Sequence, residues 1–224
     1  KCVRVTDLIA TRQPAPAQSV RIMTYNIHRW AGEDRRADLD RLAEIIRAAR
    51  ADVVGLNEVI HPVTRRGRSH DYLGELAVRL GMFSVFGPSG WLDYGPDWYG
   101  PQGNALLSRY PLTETRNVLL PRPPATKQRA LLGARLTTGP AAGLMAFITH
   151  LDHAFEGARL LQIQGALVEA RRHGPHFIAG DFNTPGFGGR YARRFSTPVM
   201  RQMHRAGSGD AFQMMGVGSG RTFP

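Results

Sequence analysis

Four apolar runs in this chain each give way to polar, chemistry-bearing side chains. Ile22 to Tyr25 leads into Asn26, Val53 to Leu56 into Asn57-Glu58, Phe147-Ile148 into Thr149-His150, and Phe177 to Gly180 into Asp181. Short apolar runs bounded by turn residues read as buried strands. Layered α/β folds collect their reactive groups at the carboxyl ends of such strands. A single acid at a strand end is ordinarily a cap or a loop hydrogen-bond acceptor. Four strand ends of this kind in one 224-residue chain constrain the fold far more tightly, because their residues are useful only if the ends lie together.

The segments between these runs supply the rest of the architecture. After Asp38, a predicted N-cap, Leu39, Leu42, Ile45, Ile46 and Ala49 follow helical spacing, so the first two runs form a strand-helix-strand unit. A second helix is predicted over Tyr72 to Leu80 and a short strand over Phe83 to Phe86. Apolar stretches at Ala105 to Leu107, Leu131 to Leu136 and Leu144 to Ile148 read as consecutive sheet strands. Leu160, Ile163, Leu167 and Ala170 mark one face of a longer helix. Gly87 to Gly103 is rich in Gly and Pro and is predicted to be a loop. Its Trp91, Tyr94, Trp98 and Tyr99 either face substrate or pack on one another. No repeat of 20 to 50 residues is present, and interleaved strands and helices predict a layered α/β domain.

A chain 42% hydrophobic has enough apolar material for one buried domain, expected over 20-224 behind a polar, Pro-bearing extension at 1-19. No apolar run approaches the roughly 18 residues of a membrane span, so no integral membrane segment is expected. Cys2 is the only cysteine, which sets aside intrachain disulfides, thiolate clusters and thiol catalysis. The net charge of +11 favours polyanions, nucleic acid among them. Lys stands only at 1 and 127, however, and so strong a preference for Arg also follows from GC-rich coding.

The strand-end residues match what phosphoester hydrolysis needs. Carboxylate and amide oxygens suit a hard cation such as Mg²⁺, which is ordinarily bound through one or two carboxylates, and Glu58 is the natural ligand. Asn26 or Asn183 can hydrogen-bond a phosphate without adding negative charge, and His150 and Asp181 are candidates for proton transfer.

The segments that carry these residues are Met23-Thr24-Tyr25-Asn26-Ile27, Leu56-Asn57-Glu58-Val59, Gly103-Asn104-Ala105-Leu106-Leu107-Ser108-Arg109-Tyr110-Pro111, Thr149-His150-Leu151 and Gly180-Asp181-Phe182-Asn183. Together, and in this order, they resemble the endonuclease/exonuclease/phosphatase superfamily, the DNase I-like phosphoesterases. The resemblance implies a four-layer sandwich of two packed β-sheets flanked by helices. It implies a Mg²⁺ or Mn²⁺ ion held chiefly by Glu58 with Asn26 beside it. Asp181 and Asn183 then orient nucleophile and phosphate, His150 stabilises or protonates at the phosphate, Asn104 lines the site and Arg129 supplies a basic group to the substrate. The implied activity is hydrolysis of phosphoesters, chiefly phosphodiesters, of nucleic acid or of a lipid or small molecule, by a monomeric enzyme. The alternative is a catalytically impaired relative that only binds phosphorylated ligands.

Two departures accompany the resemblance. Asn57 stands where the family usually has Gln. The family's C-terminal Ser-Asp-His signature does not follow Thr222-Phe223-Pro224, so the domain is expected to lack its C-terminal segment and the base that activates water, a loss of about 10² to 10⁴ in rate. His28 is expected to be a surface or packing residue, Asp152 and His153 to lie beside the site, and the arginines at 65, 66, 68, 190, 193, 194, 201 and 205 to lie on solvated faces or against phosphates.

Overall fold

The computed structural model describes residues 19-32, 34, 36-93, 95, 98-184 and 197-216. Its strands are β1 (Ile22–Asn26), β2 (Val53–Ile60), β3 (Val63–Arg65), β4 (Arg68–His70), β5 (Phe83–Asp93), β6 (Tyr99–Ser108), β7 (Leu112–Leu119), β8 (Ala130–Leu136), β9 (Met145–His150) and β10 (His176–Asp181). The helices, numbered here in chain order, are α1 (Leu39–Ala49), α2 (Tyr72–Leu80), α3 (Glu156–Ala170), α4 (Pro198–Arg205) and α5 (Ala211–Met215).

The first sheet runs β1-β2-β6-β3-β4, with β5 also paired to β6, and the second runs β10-β9-β8-β7. Each sheet contains one parallel pair, β1 with β2 and β9 with β10, while the other pairings are antiparallel. Parallel neighbours need a crossover, and α1 and α3 supply it. Each helix buries one apolar stripe, Leu42, Ala43 and Ile46 in α1 and Ile163, Ala166 and Leu167 among others in α3. The Asp38 carboxylate caps α1 by accepting from Arg41 N at 2.9 Å, and the Asp71 carboxylate caps α2 by accepting from Gly74 N at 2.7 Å.

Three apolar clusters give the layering. One lies between the first sheet and α1 and α2, built on Leu42, Ile46, Leu56, Leu73, Leu76 and Leu107. Another lies beneath α3 and α4, built on Met145, Phe147, Ile163, Leu167 and Val199. The third joins the two sheets through Val53, Leu106, Leu132, Ala134, Leu136, Ala146 and Ile148. At Gly55 the sheets close so far that an added Cβ would run into Ile148 Cδ1. The result is the expected four-layer sandwich, with the carboxyl ends of both parallel pairs at one edge. Asn26 lies opposite Asn57 in one sheet and Asp181 opposite His150 in the other. Among the described residues no helix is long and apolar enough to cross a membrane.

The structure corrects the expected loop at Gly87 to Gly103. Most of it is the long β5-β6 hairpin, paired from Phe83↔Ser108 to Asp93↔Tyr99 with a register shift between Pro88 and Gly90. Gly87, Gly100 and Gly103 are places of close approach rather than breakers. A Cβ on Gly103 would strike the Gly87 carbonyl on the facing strand. Trp98 packs toward Tyr72 and the first core, whereas Trp91 is 66% exposed beside Tyr99. Tyr94 lies outside the described residues, as do Cys2, Arg190, Arg193, Arg194 and Thr222 to Pro224. Strand β7 was not anticipated, because its Thr113-Glu114-Thr115-Arg116-Asn117 stretch is an exposed edge with almost no apolar alternation.

Candidate active site

Glu58 reaches the site through a bulge in β2. Between Leu56↔Ala105 and Val59↔Gly103 the strand carries one residue more than β6, and Glu58 takes a left-handed φ of 58°. A bulge re-aims a side chain without ending the strand. Here it sends Asn57 into the interior, where it is fully buried, and Glu58 toward the cleft edge.

Asn57 then ties the two sheets together. Its Nδ2 donates to Asn104 Oδ1 at 2.8 Å and to the Thr149 carbonyl at 2.9 Å, and its Oδ1 accepts from Asp181 N at 2.9 Å. Asn104 Nδ2 donates in turn to the Ala130 carbonyl at 3.0 Å. Thus Asn104, expected to line the site, is buried beneath it, with both ends of its amide bonded within the protein.

Above this network, Asn26 Nδ2 donates to Glu58 Oε1 and to Asp181 Oδ2, both at 3.1 Å. One neutral amide therefore bridges carboxylates from different sheets. Asn26 Oδ1 accepts from His28 N at 3.1 Å, so its oxygen faces away from both acids. Asp181 Oδ1 accepts from Asn183 N at 2.9 Å, and Asn183, left-handed at φ 47°, donates from Nδ2 to the Leu151 carbonyl at 3.0 Å.

Positive charge enters from two sides. Arg129 is partly buried and its Nε has no hydrogen-bond partner. Burial lowers its pKa, against the fields of Asp152, Glu58 and Asp181, which favour the cation. His150 is 6% exposed, and burial together with the Arg129 charge pushes its pKa down to about 4 despite Asp181 and Glu58. The ring is therefore neutral near pH 7. Its approach of Nε2 to Asp181 Oδ2, 3.9 Å, is too long for a hydrogen bond and is not an ion pair at that pH.

The second cation is Arg29, whose Nε stands 3.6 Å from Glu58 Oε2. It lies in a run of three consecutive left-handed residues, His28 at φ 45°, Arg29 at 60° and Trp30 at 71°. Such backbone costs roughly 1–2 kcal/mol per residue and is normally visited by isolated residues. Trp30 holds it in place, being buried with Nε1 donating to the Ile60 carbonyl at 2.8 Å. Trp98 Nε1 donates to the Arg29 carbonyl at 3.1 Å.

The predicted Asn26, Glu58, His150, Asp181 and Asn183 are therefore brought to one edge of the sandwich, with Arg129 facing their charges. His28 is exposed, a surface residue rather than a packing one. Asp152 is buried, and its Oδ1 accepts from Ala154 N and Phe155 N at the start of α3. Arg65, Arg66, Arg68, Arg201 and Arg205 are exposed, with Arg65 set 5.6 Å from the Trp98 ring centre. Sequence reasoning overlooked Arg29, because nothing in Asn26-Ile27-His28-Arg29-Trp30 announces a left-handed turn. It also undervalued Asn57, for which the signal was available: a polar residue within an otherwise apolar strand.

The donor chemistry fits a hard cation. Among the described residues no three His, Cys, Asp or Glu side chains group as ligands, but Mg²⁺ retains several waters and needs only one or two carboxylates. Glu58 Oε2, unlike Oε1, accepts no hydrogen bond from Asn26. Asn26 would have to turn its amide over to present an oxygen.

Comparison with known proteins places these features. The chain is 29% identical over 219 residues to the Escherichia coli K12 protein YbhP, described as uncharacterized, with 92% of this chain and 79% of that one covered. Among solved structures it superposes on an endonuclease/exonuclease/phosphatase from Beutenbergia cavernae with a TM-score of 0.72 at 24% identity. That match takes in 86% of this chain and 55% of the other, so the chain spans little more than half of that relative's length. It also superposes on the human Nocturnin catalytic domain with a TM-score of 0.64 at 21% identity, over 87% of this chain and 72% of that one. The model of the Endonuclease/Exonuclease/phosphatase family matches residues 23–219, and with the two-sheet fold and the joined strand ends this shows that the chain belongs to that family, whose members are hydrolases of the nuclease and phosphatase kind.

Proposed function

We propose that this protein is a Mg²⁺- or Mn²⁺-dependent hydrolase of phosphoesters, chiefly phosphodiesters. The observation that carries the reading is the pair of carboxylates, Glu58 and Asp181, drawn from different sheets onto the single Asn26 amide, with a partly buried arginine and a neutral histidine beside them. Glu58 holds the cation with Asn26 next to it, and the cation, when bound, offsets charge on the phosphoryl oxygens. Arg129 and the Asn183 amide receive the phosphate. The unpartnered Arg129 Nε supports that role, since a buried donor without an acceptor is costly until a ligand supplies one.

His150 is neutral at pH 7, so one ring nitrogen donates a hydrogen bond to the phosphate as charge develops there. Asp181 is held by the backbone of Asn183 and by Asn26, which aims its carboxylate at the nucleophilic water. Asn104 contributes from below, by fixing Asn57. The substrate is a nucleic acid or a lipid or small-molecule diester; the arginine-rich surface and the net charge of +11 suit each of these anions.

The test is hydrolysis of bis-(p-nitrophenyl) phosphate, plasmid DNA and phospholipid vesicles with Mg²⁺ or Mn²⁺, beside Glu58→Ala. Turnover that requires the cation and falls at least about 100-fold in the variant is expected. Equal activity in the two proteins removes Glu58 as the ligand. Tight binding of these substrates without cation-dependent turnover would make the protein a phosphate-ligand-binding member of the family instead.

A further inference from the structure

We propose that Arg29 is a second phosphate-binding residue, one that Glu58 sequesters until a divalent cation takes the carboxylate. The inference rests on the reading of Glu58 as the cation's ligand. Three observations carry it. The Arg29 guanidinium lies 3.6 Å from Glu58 Oε2, the oxygen that Asn26 leaves unbonded. Its side chain is 32% exposed at the rim of the site, whereas Arg129 is set deeper. Its backbone is locked in a left-handed turn by the buried Trp30 and by the bond from Trp98, so any rearrangement there falls to the side chain. Strained backbone persists where the surroundings over-determine it, and it is concentrated where position matters to function.

The charges around Glu58 say where Arg29 goes. A divalent cation on that carboxylate adds positive charge beside the guanidinium. Arg29 cannot keep Glu58 Oε2 once a cation claims the same oxygen, because like charges then repel across a few ångströms. The fixed turn keeps the guanidinium within reach of the site, and the anion that this added positive charge draws in is the substrate's phosphate. A guanidinium presents a planar fork of donors that matches two phosphate oxygens. Cation binding and phosphate binding are coupled through this one side chain, and the coupling is reciprocal.

Titration calorimetry on the full chain separates the possibilities. Mg²⁺ is titrated into wild type, Arg29→Gln, Arg29→Lys and Glu58→Ala, and inorganic phosphate is then titrated into each at saturating Mg²⁺. Arg29→Gln is expected to bind Mg²⁺ about 3-fold more tightly, having lost the competing ion pair, and phosphate about 10-fold more weakly. Arg29→Lys keeps the charge but loses the fork, so its Mg²⁺ affinity stays near wild type while phosphate binding weakens. These opposite shifts are the signature, since a damaged fold weakens both ligands together. If Mg²⁺ binding depends on Glu58 but Arg29→Gln leaves it unchanged or weaker, or leaves phosphate affinity unchanged, the Arg29 inference fails and the cation site stands. If Glu58→Ala binds Mg²⁺ as wild type does, both fail.

Discussion

The imidazole of His150 is neutral at pH 7 because burial and the Arg129 charge outweigh the two carboxylates. The unfolded chain takes up this proton near 6.5, whereas the folded chain takes it up only near 4. Above 6.5 both states are neutral and the group costs nothing. As the pH falls from 6.5 to 4 the unfolded state binds the proton first, and folding stability drops by about 3 kcal/mol; below 4 this group causes no further loss. Urea midpoints near pH 7 and near pH 4, taken with chelator present, should therefore fall less steeply for His150→Gln than for wild type. Identical slopes would mean that His150 titrates at its ordinary value. The identity of such residues was legible in the sequence, since Glu58, His150 and Asp181 each terminate an apolar run. The depressed pKa was not, because it depends on Arg129 and on layers of the fold that come from elsewhere in the chain.

Among the elements, β2 shows how much a strand can do beyond pairing. Its bulge splits Asn57 from Glu58, one inward to the inter-sheet network and one outward to the cleft. Asn57→Ala leaves Asp181 N, Asn104 Oδ1 and the Thr149 carbonyl without their partner in a dry interior, at a cost of roughly 3 kcal/mol. Urea denaturation checks the stability. Activity should fall as well, since Asp181 loses the bond that registers it against β2. Helical periodicity placed α1, with its cap at Asp38, and α2 over Tyr72–Leu80, where the structure has them. The β5-β6 hairpin was hidden by its Gly and Pro content, and β7 by its exposed polar edge. Neither carries the apolar alternation that reveals a half-buried strand.

Over the whole molecule, the site exists because two strand-helix-strand units stand in different sheets and meet at their carboxyl ends. That meeting depends on how closely the sheets pack. Gly55 lets β2 settle against Ile148 of β9, and a methyl group there would run into Ile148 Cδ1. Gly55→Ala should cost about 2 kcal/mol and lower activity by moving Glu58 away from Asp181. Ile148→Val, which removes Cδ1, should recover about 1 kcal/mol of that loss in the double variant, measured as a double-mutant cycle. Strict additivity would mean that the sheets do not touch at this point.

By itself the sequence determined the strand-helix alternation, the layered α/β class and the polar residues at the ends of buried runs, because periodicity and apolar clustering are local properties written residue by residue. Only the tertiary structure decided that one Asn26 amide bridges Glu58 and Asp181 across two sheets. It likewise decided that Asn57 is the buried link beneath them, and that a left-handed turn carries Arg29 to Glu58. Those facts depend on sheet separation, a one-residue bulge and the handedness of three φ angles. Contacts between residues tens of positions apart fix all three, and no local pattern records them.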